Sequence, residues 1–553
     1  MSKTVVNVSD LICQTESMVQ FDKDIVSEDF TNSKEINTYF GIVNLKIKKM
    51  DPIIQKRHFV FTVDCSGSMS DLCNDGRTKM DHSNHTLINM ITYFAEHPEL
   101  SVSVSVFAFD SDIYKIIENE EVIQENLDKL IHCVRKIRPK DMTNIEKALL
   151  NSKEYIASYI ENNTETNICH IFMTDGDATQ GNTMPNELKE FVAPLVSNIF
   201  IGFGLEHNAY LLKELAATES KNNYYFVDAL EKSGFVYGEI LHSVIYRLLE
   251  NTTITVTNGL VYDWKKNSWV DTIEIGDLVS ESNKIFHVLS NNPSDFTLVV
   301  STIDCTTKDT FDLHIQNSDG FIDLSNYKYR QRTQQLLFDV NLHNFDVIKH
   351  NVSYSGDKYD ELHKTLQSNG KLLKEKMKKL LKEMQQLSQS LEKDEEKAFI
   401  KLLCDDIFIC LQTFESKHSA MYSCARQASQ GAQRSYSATY TPKFDNNTPF
   451  QGRVNMPQFK RSYAVNMHSQ DLDYDVVNDN DDDDDDNAFV LPTFPKFSYN
   501  DNCDNDNCDN DNEDDYQNNY KVSEQIDNPN STLSILSLMR SCSAGMNDNK
   551  LFR

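Results

Sequence analysis

Between residues 52 and 250 apolar runs alternate with amphipathic stretches of helix length, and this alternation narrows the fold more than any other feature of the chain. Strands covered on both faces read as near-continuous apolar runs, and the helices between them carry the crossovers of a parallel sheet. The pattern predicts strands over 59–63, 100–109, 168–174, 199–204 and 224–227. Helices are expected over 80–96, 125–134, 145–160, 186–192, 209–217 and 234–249. The expected fold class is α/β, a doubly wound sheet with helices on both faces.

The flanks follow other periods. From 252 to 322 short β-rich runs are punctuated by turn signals such as Asn258-Gly259, which predicts a small antiparallel β-sandwich over 251–323. The run 39–48 alternates in the same way, so a strand within 37–52 is expected to join that sandwich from the other side. The α/β unit, 53–250, would then be an insertion between sandwich strands. From 324 to 430 the pattern is helical. There Leu373, Met377, Leu380, Met384, Leu387 and Leu391 are spaced 4, 3, 4, 3, 4, the seam of a coiled coil or helical hairpin and a route to self-association. Lysines between 371 and 382 suggest a calmodulin-target or membrane-surface helix instead, but Glu375, Glu383 and Asp394 to Glu396 dilute that basic face.

Charge is distributed unevenly. Lys and Arg number 54 against 84 Asp and Glu, a formal charge of −30, which argues against direct binding of nucleic acid by phosphate neutralisation. The stretch 470–517 holds 18 acidic side chains and one basic one, Lys496, so 17 of those negative charges fall in one segment. With its Asp481 to Asp486 run and its Asn-Asp-Asn-Cys-Asp repeats it has little to bury, and 431–553 is expected to be a disordered tail, either solubilising or a lure for a basic partner. The repeats lack the glycine and the distal glutamate of an EF-hand loop. No membrane span is expected, since no stretch approaches about 18 apolar residues and the mean hydropathy is -0.50. The 12 cysteines form no C-x-x-C pair and the first ten residues lack an apolar signal core, which points to a reducing, cytoplasmic compartment.

Chemistry concentrates at the end of the first α/β strand, where Asp64, Ser66 and Ser68 form Asp-x-Ser-x-Ser on one sharp loop. Open parallel sheets bind ligands at the carboxyl ends of their strands. Two further loops reach the same rim, one carrying Thr143 before the helix at 145, the other Asp175 after the strand 168–174. Three hydroxyls and two carboxylates are hard oxygen donors, which select Mg2+, or Mn2+ or Ca2+, over zinc. Hydroxyls would ligate directly and the carboxylates partly through water, leaving a position open for an anionic oxygen from a partner's Asp or Glu. Cys65, inside the loop, is expected to be a small buried apolar residue.

This segment resembles a von Willebrand factor type A domain, whose metal-ion-dependent adhesion site uses D-x-S-x-S, a threonine and a T-D-G aspartate. The resemblance covers about 53–250. It implies a non-enzymatic protein-interaction module with Asp64, Ser66, Ser68, Thr143 and Asp175 as metal ligands and the other domains as scaffold. One departure is that Asp141 and Met142 stand where the family usually has glycine before the threonine. Similar domains occur in intracellular scaffolding proteins, and the Asn- and Asp-rich composition resembles that of AT-rich genomes such as large DNA viruses, which would place the chain in a host cytoplasm. Two other readings stand beside it. A doubly wound sheet with Asp after its first strand also describes haloacid-dehalogenase-like, Mg-dependent phosphohydrolases, but these need a second Asp where Ser66 stands. Ser66 as an acyl nucleophile lacks both G-x-S-x-G and a placed base among His82, His85, His170 and His207. The third reading is a purely structural, self-assembling protein built on the leucine seam.

Overall fold

In the computed structural model the described residues are 11–25 except 14–15; 38–438 except 74, 220, 229–232, 354–356, 417 and 437; and 522, 528 and 530–544. The acidic segment 470–517 and its expected disorder lie outside them.

Strands β1 (Met18–Ile25) and β2 (Tyr39–Lys46) precede the α/β unit. That unit runs β3 (Arg57–Asp64), α1 (Lys79–Glu96), β4 (Val102–Phe109), β5 (Ile113–Glu121), α2 (Leu127–Val134), α3 (Ile145–Asn162) and β6 (Asn167–Thr174). It continues through α4 (Pro185–Leu188), β7 (Ser197–Phe203), α5 (Ala209–Ala216), β8 (Asn223–Val227) and α6 (Ser233–Ile245). The sheet order is β5-β4-β3-β6-β7-β8, parallel except for β5, so the expected doubly wound α/β fold is present. Every residue of the central strand β3 is buried. Phe59, Phe61 and Val63 share a core with Met90 of α1 and Ile240 of α6, while Val60 packs with Ile156 of α3 on the other face. Each such side chain contributes about 1.5–3 kcal/mol on burial.

Strand β5 was not expected from the sequence. It is an antiparallel edge strand, buried only at Ile117, and its Glu118, Glu120 and Glu121 hide the strand pattern while they blunt the edge. The helix expected to reach 249 stops at Ile245, and β9 (Arg247–Thr257) begins two residues later. Its Leu248 and Leu249 are buried in the sandwich core and Arg247 pairs with Asp277 at 3.1 Å, so tertiary packing overrides a run that local pattern assigned to the helix.

The sandwich continues through β10 (Leu260–Asp263), β11 (Ser268–Val270), β12 (Thr272–Val279), β13 (Asn283–Ser290), β14 (Thr297–Asp304), β15 (Thr310–Ile315) and β16 (Asn317–Ile322). Its two sheets are β11-β10-β13-β2-β1-β16 and β12-β9-β14-β15. Val19, Val43 and Leu45 of one meet Ile254, Val256 and Val300 of the other in one core. Antiparallel pairing of β2 with β13, from Tyr39 against Ser290 to Lys46 against Asn283, places the whole α/β unit between two neighbouring strands. The sandwich is not purely antiparallel as expected, because β1, which the sequence reading did not include, pairs parallel with β16.

Four helices follow: α7 (Ser325–Ser353), α8 (Asp357–Ser390), α9 (Asp394–Thr413) and α10 (Ser419–Ala432). In α8 the seam residues Leu373, Met377, Leu380 and Met384 are buried, with α9 and α7 packed against the helix, while Leu387 and Leu391 are half-buried, Leu391 just past the helix end. Order does not end near 430. Arg434, Ser435 and Tyr436 are buried, and a further helix, α11 (Leu533–Ser543), packs on α6 and α1. The expectation of a disordered tail over the whole of 431–553 is therefore corrected at both of these places. At Gly238 a Cβ would lie 2.4 Å from the Met539 nitrogen, so α11 approaches α6 as closely as only glycine permits. Asn89 Nδ2 of α1 donates to the Cys542 carbonyl at 2.8 Å. Among the described residues no helix is long and apolar enough to cross a membrane.

Candidate metal centre

The loop after β3 begins with Asp64, which is fully buried. Its Oδ1 accepts from the Ser66 backbone N–H at 2.8 Å and its Oδ2 from Thr174 Oγ1, at the end of β6, at 2.6 Å. Ser66 Oγ lies 3.1 Å from Ser68 Oγ, and Ser68 Oγ donates to Asp175 Oδ1 at 2.7 Å. The ends of the two adjacent parallel strands β3 and β6 are thus joined through polar side chains. Asp64, Ser66, Ser68 and Asp175 stand together at the carboxyl edge of the sheet. Ser66 is buried, Ser68 half-buried and Gly67 exposed, so the cluster opens to solvent past Gly67 and Ser68.

Thr143 reaches the same edge from the loop ahead of α3. That loop is fastened to the first by Lys140 N–H on the Cys65 carbonyl, 2.7 Å, and Gly67 N–H on the Asp141 carbonyl, 2.9 Å. It is fastened to the third by Thr143 N–H on Thr179 Oγ1 and by Thr179 N–H on the Thr143 carbonyl, each at 2.9 Å. Thr143 is buried, and the next residue, Asn144, caps α3 by accepting from Lys147 N–H at 2.9 Å. Thr143 is tied by its backbone to Thr179 in the loop after β6, whereas the other four residues are linked directly to one another by hydrogen bonds. Neither Asp141 nor Met142 takes a positive φ, so the loop holds its path without the glycine usual before the threonine.

Two residues that sequence reasoning missed complete the site. Thr174 binds Asp64, and Lys79, the first residue of α1, places Nζ 2.7 Å from Asp175 Oδ2 and 3.2 Å from Asp71 Oδ2. A lysine at a helix start reads as solvent-exposed, yet this one is 12% exposed against a fully buried Asp175. The α1 N-terminus that carries it is set by a capping box, with Thr78 Oγ1 accepting from Asp81 N–H and Asp81 Oδ2 from Thr78 N–H, each at 3.0 Å.

Burial, with the Asp175 charge added to it, pushes the Asp64 carboxyl up to about 7, against the hydrogen bonds from Thr174 and Ser66. Asp64 lacks a cation of its own among these partners, and a divalent ion beside the Ser66 and Ser68 hydroxyls would supply it. The all-oxygen donor set fits Mg2+, Mn2+ or Ca2+. Among the described residues no group of three or more His, Cys, Asp or Glu stands close enough together to hold a metal ion, so an ion at this rim would depend on the serine and threonine hydroxyls as well as the two carboxylates. Cys65 is buried, as expected, with its thiol pushed up to about 12 by burial first and by Asp110 second. The histidines are interior polar groups: His170 bonds Thr62 and Asn198, each at 3.0 Å, and His207 bonds the Gly204 carbonyl and Tyr224.

Residues 59–237 match the sequence model of the von Willebrand factor type A domain. The chain carries a von Willebrand factor type A domain. Among curated proteins it is similar to inter-alpha-trypsin inhibitor heavy chain H3 of Mus musculus, 27% identical over 287 residues, which cover 49% of this chain and 30% of that protein. The same heavy chain of Rattus norvegicus is 26% identical over 287 residues with the same coverage. The chain thus spans less than a third of the length of these relatives. Among solved structures it is similar to a von Willebrand factor type A protein from Catenulispora acidiphila, with a TM-score of 0.41 and 12% identity over 60% of this chain and 83% of that one. The ArnB paralog VWA2 from Sulfolobus acidocaldarius gives a TM-score of 0.40 and 14% identity over 75% and 98%. Type A domains are protein-interaction modules, and the polar cluster sits at the strand ends of the type A domain here, not in the sandwich or the bundle.

Proposed function

We propose that this type A domain holds a divalent cation, Mg2+ or else Mn2+ or Ca2+, and uses it to take a carboxylate from the Asp or Glu of a partner protein. Ser66, Ser68 and Thr143 are the direct ligands. Asp64 and Asp175 act partly through water, which fits carboxylates whose oxygens already accept from Ser66, Thr174, Ser68 and Lys79. The observation that carries the reading is Asp64 itself, a fully buried carboxylate whose direct partners are neutral, at the rim of a type A sheet. The role is binding without turnover, with the sandwich and the helical bundle as scaffold. Ser66 and Ser68 are bonded to one another and to a carboxylate, and among the described residues no histidine joins that chain to act as a base.

Calorimetry with Mg2+ on the full chain tests this. One ion is taken up by the wild type, and none by Asp64→Ala or Ser68→Ala with an unchanged circular dichroism spectrum. Capture of partner protein from native lysate is then lost in EDTA and in Asp64→Ala. Absence of uptake by the wild type, or capture that survives both treatments, overturns the reading.

A further inference from the structure

Lys79 is held at the rim from several sides. Its backbone N–H donates to the Asp71 carbonyl at 3.0 Å, its Nζ bonds Asp71 and Asp175, and its Cε runs past Gly204 at the end of β7, where a Cβ would lie 3.8 Å away. Asp175 meets it with one oxygen and Ser68 with the other. The ammonium and the hydroxyl therefore divide this carboxylate between them, and half of it is turned away from the donors Ser66 and Ser68.

The charges make the consequence definite. Among the buried groups Asp64 and Asp175 carry two negative charges and Lys79 returns one positive, while Asp71, the other partner of Lys79, is 63% exposed and its charge is screened by solvent. With a divalent ion added the group is net positive by one charge, whereas two carboxylates and the ion alone would be neutral. A fixed positive charge beside the site disfavours a cation and favours an anion. We propose that Lys79 is a resident counter-cation of the adhesion site, which weakens the grip on the metal and in return leaves the loaded rim positive for an incoming carboxylate. Lys79 is here a positioning and tuning residue, and the inference rests on the metal-binding reading given above.

The test uses the full chain with Lys79→Met and Lys79→Arg. By calorimetry with Mg2+, Lys79→Met binds the ion about tenfold more tightly than wild type, the scale set by removing one nearby like charge, and Lys79→Arg stays close to wild type. Acetate is the probe of the open position, followed by water-proton relaxation of the Mn2+-loaded protein. It displaces metal-bound water at several-fold lower concentration in the wild type than in Lys79→Met. Equal or weaker Mg2+ binding by Lys79→Met, or acetate displacement at the same concentration in both, overturns the role of Lys79. Absence of Mg2+ uptake by the wild type instead overturns the metal site, and the role of Lys79 with it. Should Lys79→Met not fold, Lys79→Gln, which keeps a donor for Asp175 without the charge, gives the same comparison with the same outcomes.

Discussion

Asp406 in the helical bundle and Asp64 at the rim of the sheet are both buried carboxylates, and burial raises both, Asp406 to about 6 and Asp64 to about 7. Their partners differ. Asp406 receives Arg426 Nη1 at 3.1 Å on one oxygen and Gln430 Nε2 at 2.7 Å on the other, and Arg426 is itself 1% exposed. Asp64 receives a backbone N–H and a threonine hydroxyl, while Lys79, at the same rim, is engaged by Asp175. A buried charge is tolerated when it is paired and hydrogen-bonded. The bundle meets that condition from within the chain; the rim meets only half of it, and the missing half is a cation. Equal burial therefore fits a packing element in one place and, on the function proposed above, a binding site in the other.

The strongest way to break this contrast is to remove the internal cation of the bundle. Arg426→Ala leaves Asp406 buried without its ion-pair partner and is expected to cost about 3–5 kcal/mol, read from the denaturation midpoint. The loss should be the same in EDTA and in Mg2+. A loss that Mg2+ repairs would mean the two carboxylates are not different in kind.

The pH dependence separates them next. A carboxyl whose folded-state value is raised binds its proton more tightly when folded, so its contribution to stability is complete below the unfolded value near 4 and is lost as pH rises through the folded value. In EDTA, Asp64 should cost stability between about pH 4 and 7, by a few kcal/mol at most, and Asp64→Asn should flatten that part of the curve. Asp406 has the same sign over about pH 4 to 6. Saturating Mg2+ should remove the Asp64 slope and leave that of Asp406. A curve unchanged by Mg2+ would place both groups in the structural class.

A smaller effect comes from the ion alone. Mg2+ at a hundred times its dissociation constant should stabilise the wild type by about 2.7 kcal/mol through mass action. Thermal midpoints in Mg2+ and EDTA report it, and Ser68→Ala should show no difference between them.

The same contrast explains what could be read in the sequence. The strands of the type A sheet are legible because a parallel sheet covered on both faces needs unbroken apolar runs, and β3, β6 and β7 supply them. The five proposed donors can be placed at one edge of the sheet from sequence because each follows a strand or precedes a helix by a short interval. Lys79 cannot, since nothing local distinguishes a lysine that solvates a helix start from one folded back onto a carboxylate. Helix α11 is hidden for a related reason. Ile535, Leu538, Met539 and Cys542 form its buried stripe, but the groove that receives them is made by Gly234 and Gly238, some three hundred residues earlier. The signal lies in the match between the two, and neither half shows it alone.

The smallest effect sharpens the rim itself. Asp141 and Met142 replace the glycine usual before the threonine, and a glycine there would be required only if the backbone entered the left-handed region. It does not, and the loop is instead fixed by Gly67 N–H on the Asp141 carbonyl and by the paired bonds between Thr143 and Thr179. Met142→Gly should therefore add freedom to the unfolded chain without relieving any strain, lowering stability by about 0.5–1 kcal/mol. Mg2+ affinity by calorimetry should change by less than about threefold, since less than 0.7 kcal/mol of loop energy is at stake at a position that donates no ligand. A gain in affinity well beyond that would show that the methionine holds the threonine loop away from its binding position, and that the rim, unlike the bundle, is kept under tension by its own sequence.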